Sequence, residues 1–242
     1  MAEKKVALVT GGGTGIGAAC VRELAARGFR VGIHYRSSGD AAAQLLASIG
    51  DGFLLRADLA DIDQVEAMIA QLKQETDRLD CLVNNAGVSF DCDIQRMRIE
   101  QFDQQRALLR GAWYLTKRIL RQFMLRADSG RIINISSVVG HTGNSGQIPY
   151  TMEKAALDAL TKSLAQELKG RNILVNSVAP GFIATEMTAA LPAEIQAGIL
   201  SRIPLGRMGR PEEVAEVVGF LATAGSYMTG TVIHVNGGMY GG

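Results

Sequence analysis

The stretch Val6-Ala7-Leu8-Val9-Thr10-Gly11-Gly12-Gly13-Thr14-Gly15-Ile16-Gly17 decides the fold. Its four apolar residues suit a strand buried on both faces, and helical apolar spacing takes over from Ala18 to Arg27. A glycine turn between a first strand and a helix is what a pyrophosphate needs. Glycines let the backbone approach the phosphates, and the helix N-terminus offers N–H groups and a positive dipole end. The spacing is G-x-x-x-G-x-G, not G-x-G-x-x-G, and the lysine of a P-loop is missing. A bare tight turn is the competing reading. Its place after the first strand of an alternating chain favours the nucleotide.

Outward from that turn, short β-type runs alternate with helical patterns. The runs are Val6–Val9, Val31–Tyr35, Gly52–Leu55, Cys81–Val83, Arg131–Ile135, Ile173–Val178 and Thr231–Val235. The helical patterns are Ala18–Arg27, Asp61–Thr76, Glu100–Arg126, Tyr150–Leu168 and Pro211–Ala224, with Asp61 and Thr151 placed as helix N-terminal residues. The alternation predicts a single α/β domain over residues 1–242. Its core is a Rossmann-type doubly wound, mainly seven-stranded parallel sheet with helices on both faces. One stretch, 179–210, breaks the rhythm with Pro180, Pro192 and Pro204 and reads as a substrate-side loop.

Composition narrows the function. Of the 242 residues 28 are glycine, about 12 % against a usual 7 % or so, as expected of a chain with many sharp turns and close approaches. Charges nearly cancel at +1, so no global field recruits nucleic acid or an anionic membrane. No apolar run reaches a membrane span and no secretory leader is visible. Cys20, Cys81 and Cys92 give no disulfide framework. His34, His141 and His234 are too scattered for a metal site, so no metal is expected. The expected setting is soluble, reducing and cytoplasmic. Trp113 and Tyr114 read as core or interface, and Arg118, Arg121 and Arg126 as a solvated helix face rather than a docking patch.

Three residues carry the chemistry. The run Arg131–Ile135 ends in Ser136-Ser137, Tyr150 follows thirteen positions after Ser137, and Lys154 four after that. Tyr and Lys at i and i+4 share a helix face. An ammonium beside a phenol stabilises the phenolate form, which suits Tyr150 to acid–base work on an alcohol/carbonyl pair. Ser137 would hold the carbonyl oxygen. Arg36 follows the second strand, where an acid would favour NAD and an arginine receives the 2′-phosphate of NADP. No acid precedes Asp40, so NADP(H) is the expected cofactor.

These features together resemble the short-chain dehydrogenase/reductase family over the whole chain. The matching residues are Thr10-Gly11-x-x-x-Gly15-Ile16-Gly17, Asp58-Leu59, Asn84-Asn85-Ala86-Gly87, Ser137, Tyr150-x-x-x-Lys154, and Pro180-Gly181 with Thr185. Within that family the chain is most similar to bacterial 3-oxoacyl-acyl-carrier-protein reductases, through Ile135–Gly140, Val178–Ile183 and His234–Tyr240. The resemblance implies NADPH-dependent reduction of a 3-keto group on a thioester-bound acyl chain. It implies that Gly11, Gly12, Gly13, Thr14, Gly15 and Ile16 line the pyrophosphate and adenosine ribose. Asp58 and Leu59 would meet adenine, Asn85, Ala86 and Gly87 would lie under the ribose, and Ile183 and Thr185 would meet the carboxamide and a phosphate. Tyr150 and Lys154 would also touch the cofactor. An acyl carrier protein as substrate bearer and a homo-tetramer follow from the same likeness. Other small carbonyls or acyl-CoA, or a cofactor-binding subunit of a hetero-oligomer with reduced activity, are the alternatives.

Two positions depart from the family pattern. Thr14 stands where an arginine commonly supports the 2′-phosphate, leaving that task to Arg36. Leu108 stands where an asparagine usually anchors a proton-relay water beside the lysine. The expectation is a slower proton return unless Gln104 or Gln105, a turn away, supplies another route. Gln104, Gln105, Arg106 and Arg110 also make the helix that usually builds the dimer unusually polar.

Overall fold

Val6–Val9 becomes strand β1, its four residues all buried because helices cover both of its faces. Ala7 and Val9 point into one core, Val6 and Leu8 into the other. The computed structural model describes residues 4–185 and 193–241. The remaining strands are β2 (Arg30–Tyr35), β3 (Gly52–Arg56), β4 (Cys81–Asn84), β5 (Gly130–Ile135), β6 (Ile173–Pro180) and β7 (Val232–Val235). They form one seven-stranded sheet in the order β3-β2-β1-β4-β5-β6-β7. Every adjacent pair is parallel.

The helices are α1 (Gly15–Ala26), α2 (Gly39–Ile49), α3 (Ile62–Glu75), α4 (Ile99–Ile119), α5 (Leu125–Ala127), α6 (Val139–Thr142), α7 (Ile148–Glu167), α8 (Ala193–Leu200) and α9 (Pro211–Thr223). Residues of α1, α2 and α9 pack on one face, and those of α3, α4 and α7 on the other. The chain turns back between β1 and β4, and ligands bind at the carboxyl ends of strands around such a switch point. Cys20 and Cys81 are buried core residues, their thiols pushed up to about 12 by loss of water, and Cys92 is half-buried.

Some boundaries differ from the expectation. Asp61 does cap α3, accepting from the backbone N–H groups of Asp63 and Gln64. Thr151 caps nothing, because α7 starts at Ile148 with Pro149 in its first turn. The long Glu100–Arg126 pattern is α4 followed by a π-helical turn, Leu120–Met124, which keeps Leu120, Phe123 and Met124 all buried. The 179–210 excursion is only partly irregular. Ala179 and Pro180 end β6, and α8 lies inside it. Ile183 and Gly209 bridge across its base, with Ala184 N–H to the Gly209 carbonyl at 2.7 Å. Pro192 lies outside the described residues. Among the described residues no helix is long and apolar enough to cross a membrane, and no His/Cys/Asp/Glu group is placed to hold a metal ion.

Candidate active site

Thr10 ends β1 buried, and its hydroxyl joins the glycine turn to the end of β4. It donates to the Val83 carbonyl at 3.2 Å and accepts from the N–H groups of Asn85 at 2.9 Å and Ala86 at 3.0 Å. Asn85 returns the contact: its Nδ2 donates to the carbonyls of Thr10 and Gly11. The amide that the family likeness places under a ribose therefore also braces the turn. Gly11 (φ 60°) and Gly15 (φ 52°) occupy left-handed backbone where a side chain is strained. A β-carbon on Gly17 would lie 2.1 Å from the Gly11 carbonyl oxygen. Thr14 precedes α1 without a side-chain hydrogen bond to the N–H groups of the first turn. That cradle fits a pyrophosphate.

His34, set aside in the sequence as a lone histidine, proves part of the cradle. On β2 it is 2 % exposed. Its Nδ1 accepts from the Gly11 N–H at 3.0 Å, and its Nε2 faces the Ala57 carbonyl at 3.1 Å, so Nε2 carries the proton. Removal from water pushes the imidazole down to about 4, against the milder upward pull of the Ala57 carbonyl. The ring is neutral at physiological pH. No pattern in the sequence links residue 34 to residue 11; the pairing of β2 beside β1 creates the contact.

A cleft of about 220 Å³ opens at the switch point, lined by Ile16, Asn85, Gly87, Ser137, Tyr150, Lys154, Ile183 and Thr185 among others. Ser137 stands past the end of β5, with its Oγ accepting from the Val139 N–H at 3.3 Å. Tyr150 is in the first turn of α7. Lys154, one turn on and buried, donates from Nζ to the Ile135 carbonyl at 3.0 Å. Nζ also lies 5.4 Å from the centroid of the Tyr150 ring. At the mouth, Gln147 donates from Nε2 to Asp91 at 2.9 Å and accepts from Asn144 at 2.8 Å.

Behind the cleft, α4 presents Gln105 rather than Leu108. Gln104 is exposed, whereas Gln105 is 1 % exposed and donates to the Val88 carbonyl at 2.8 Å and to Glu153. Leu108 packs partly buried against the core on the α3–α4–α7 face. Of the residues expected to make α4 polar, Gln105 thus faces inward. Glu153 had no part in the expected site, although its position directly before Lys154 on α7 was a visible signal.

The remaining residues fall around the adenosine end. Arg36 and Asp58 are partly exposed and approach to 4.0 Å. Leu59 is buried with its side chain in the core on the α3–α4–α7 face. A β-carbon on Gly15 would sit 3.6 Å from the Thr185 methyl, which brings the 179–210 segment against the glycine turn. Glycine turn, Arg36 and Ser137 thus lie at the carboxyl ends of β1, β2 and β5, with Tyr150 and Lys154 of α7 beside Ser137 in the cleft.

Residues 11–240 match the family described as enoyl-(acyl carrier protein) reductase. The chain is also similar to curated bacterial proteins along nearly its full length. It is 45 % identical over 240 residues to the 3-oxoacyl-[acyl-carrier-protein] reductase FabG of Haemophilus influenzae, covering 98 % of both chains. It is 44 % identical over 242 residues to FabG of Staphylococcus aureus strain N315, and 43 % identical over 242 residues to FabG of Escherichia coli K12, again with 98 % of each chain covered.

Proposed function

The chain belongs to the short-chain dehydrogenase/reductase family, an oxidoreductase family using a nicotinamide cofactor, and from that premise we propose that it reduces the 3-keto group of a thioester-bound acyl chain with NADPH. The observation that carries the reading is the convergence of Ser137, Tyr150 and Lys154 on one cleft beside the glycine turn. The relatives' names supply the substrate class. NADPH, when bound, supplies the hydride. Gly11, Gly12, Gly13, Thr14, Gly15 and Ile16 would hold its pyrophosphate and ribose, with Asn85, Ala86 and Gly87 beneath and Ile183 and Thr185 at the nicotinamide end. Asp58 and the Leu59 backbone would take adenine, and Arg36 the 2′-phosphate.

Tyr150 gives its hydroxyl proton to the carbonyl oxygen as that atom gains negative charge. The Lys154 ammonium stabilises the phenolate left behind. Ser137 Oγ donates to the same carbonyl oxygen and fixes which face of the ketone is presented. A cytoplasmic homo-tetramer acting on acyl chains borne by acyl carrier protein completes the proposal.

Oxidation of NADPH by the purified protein tests it, with 3-oxoacyl thioesters on carrier protein, the same acyl groups on coenzyme A, and free ketones compared. Highest kcat/KM for the carrier-borne thioester is expected. A clear preference for acyl-CoA or a free ketone moves the substrate assignment. No oxidation with any of them points instead to a cofactor-binding subunit.

A further inference from the structure

Glu153 is a buried ionisable group, next to Lys154, that the reductase mechanism leaves unused. It is 4 % exposed, on the inner side of α7 against α4. Gln105 of α4 donates from Nε2 to its Oε2 and ties the same amide to the Val88 carbonyl. The other oxygen, Oε1, lies 3.8 Å from Lys154 Nζ. A β-carbon on Gly87, at the cleft wall, would lie 3.2 Å from Lys154 Nζ and 3.9 Å from Glu153 Oε1, so Glu153 sits just behind the wall that Gly87 and Lys154 form. The charged neighbour acting on the carboxyl is Lys154 on its own helix. From α4 comes the neutral Gln105 amide, and from the segment after β4 come the Val88 carbonyl and Gly87. Burial pushes the carboxyl above its ordinary range, and the ammonium and the amide only partly oppose this.

A carboxyl fixed at one oxygen and open towards an ammonium at the other is arranged to hold a proton and release it in one direction. We infer that Glu153 stores the proton that Lys154 returns to Tyr150 after each reduction. The inference rests on the reductase reading above. Each turnover adds a hydride from the reduced nicotinamide to the carbonyl carbon and the Tyr150 hydroxyl proton to its oxygen, leaving a phenolate. A proton from the Lys154 ammonium restores the phenol. The proton on Glu153 Oε1 passes to the Lys154 amine, leaving a carboxylate held by the Gln105 amide and the renewed ammonium. One solvent proton, entering past Lys154 at the cleft wall once the alcohol has left, refills Glu153. Gln105 acts through Glu153 and is a positioning residue.

Glu153→Gln in the full-length protein is the test, because the amide keeps the shape and loses the transferable proton. The first turnover uses the proton already on Tyr150. Its stopped-flow hydride-transfer rate and NADPH affinity should therefore stay within about threefold of the parent, while steady-state kcat falls on the order of ten- to a hundredfold. The parent should show, at neutral pH, an infrared band of a protonated carboxyl that shifts in deuterium oxide and is missing in Glu153→Gln. Gln105→Leu should retain a protonated-carboxyl band at an altered frequency. Equal loss of first-turnover and steady-state rates would mark a structural role and overturn the inference. So would an unchanged kcat, or a parent without the band. A parent that shows the band yet no Tyr150-dependent turnover would instead overturn the reductase reading.

Discussion

Tyr150 is the residue whose loss should be most specific. Tyr150→Phe keeps the ring beside Lys154 and removes the transferable proton. kcat should fall at least about a hundredfold, with NADPH affinity, read by fluorescence titration, changed by no more than a few fold. Ordinary turnover in that variant would remove Tyr150 from the role of acid. Arg36 decides a different quantity. Its guanidinium lies 4.0 Å from Asp58, so a 2′-phosphate would compete for a cation that already has a weak, partly exposed partner. Arg36→Ala should erase most of the preference for NADPH over NADH, measured as the ratio of the two Kd values, and equal affinities in the parent would refute the assignment. His34 adds a pH dependence. Held down to about 4 when folded, it takes a proton more readily once unfolded, at its ordinary 6.5. The unfolded state therefore binds more protons between those values. The stability due to the neutral ring is present above pH 6.5 and is lost as pH falls towards 4. The loss between pH 7 and pH 5 is about 2 kcal/mol. Urea unfolding at the two pH values should show it, and His34→Gln, which can still accept from Gly11 and donate to Ala57, should show a shallower drop. A parallel decline in both proteins would count against this account.

At the scale of elements, α4 is the one whose position matters most and whose reading from sequence was least complete. Gly111 lets it touch the link between β3 and α3: a β-carbon there would lie 1.9 Å from the Leu59 carbonyl oxygen, which is backbone and has no rotamer to yield. Gly111→Ala should cost about 1–3 kcal/mol and lower Tm, with NADPH affinity weakened because Asp58 shifts with that link. An unchanged Tm would mean that α4 sits elsewhere. The seven-stranded parallel sheet, the glycine turn and the spacing that brings Ser137, Tyr150 and Lys154 to one cleft were legible, because buried parallel strands and helix-face spacing are written as local patterns. His34 to Gly11 and Gln105 to Glu153 were not, since each joins elements whose separation in sequence says nothing about their contact. Helix α8 was hidden by the prolines and glycines around it. Leu108 shows the difference between seeing a residue and placing it. The sequence marks its departure from the family, while only the packing shows that Gln105 faces the site. If Glu153 returns the proton, Leu108→Asn should raise kcat by less than about threefold and destabilise the fold, as a buried amide without partners costs about 1–3 kcal/mol. A tenfold gain would show that the missing asparagine limits the enzyme.

At the scale of the whole molecule, the proposed tetramer would cover two surfaces. One is formed by α4 and α7, where Trp113 is 47 % exposed and Met152 53 % exposed, with Ile148 at the start of α7 also open to solvent. The other is β7, the last strand of the sheet, hydrogen-bonded only to β6 among the described strands and half-buried along its length. Apolar helix faces and open sheet edges are both features that soluble proteins tend to cover. Two distinct self-complementary patches, each closing about its own twofold axis, generate a tetramer with dihedral symmetry rather than an open chain. Light scattering at micromolar concentration should therefore give four times the 25.8 kDa of one chain. The two patches should also separate by mutation. Met152→Glu places a charge in the helix contact and leaves the β7 edge intact, so it should give dimers rather than monomers. Trp113 is the only tryptophan and is half-exposed on α4, so its emission should shift to the red if Met152→Glu or dilution opens a contact that covers it. A monomeric parent would refute this assembly. A tetramer unaffected by Met152→Glu would place the contacts on other surfaces and leave α4 free for a different partner.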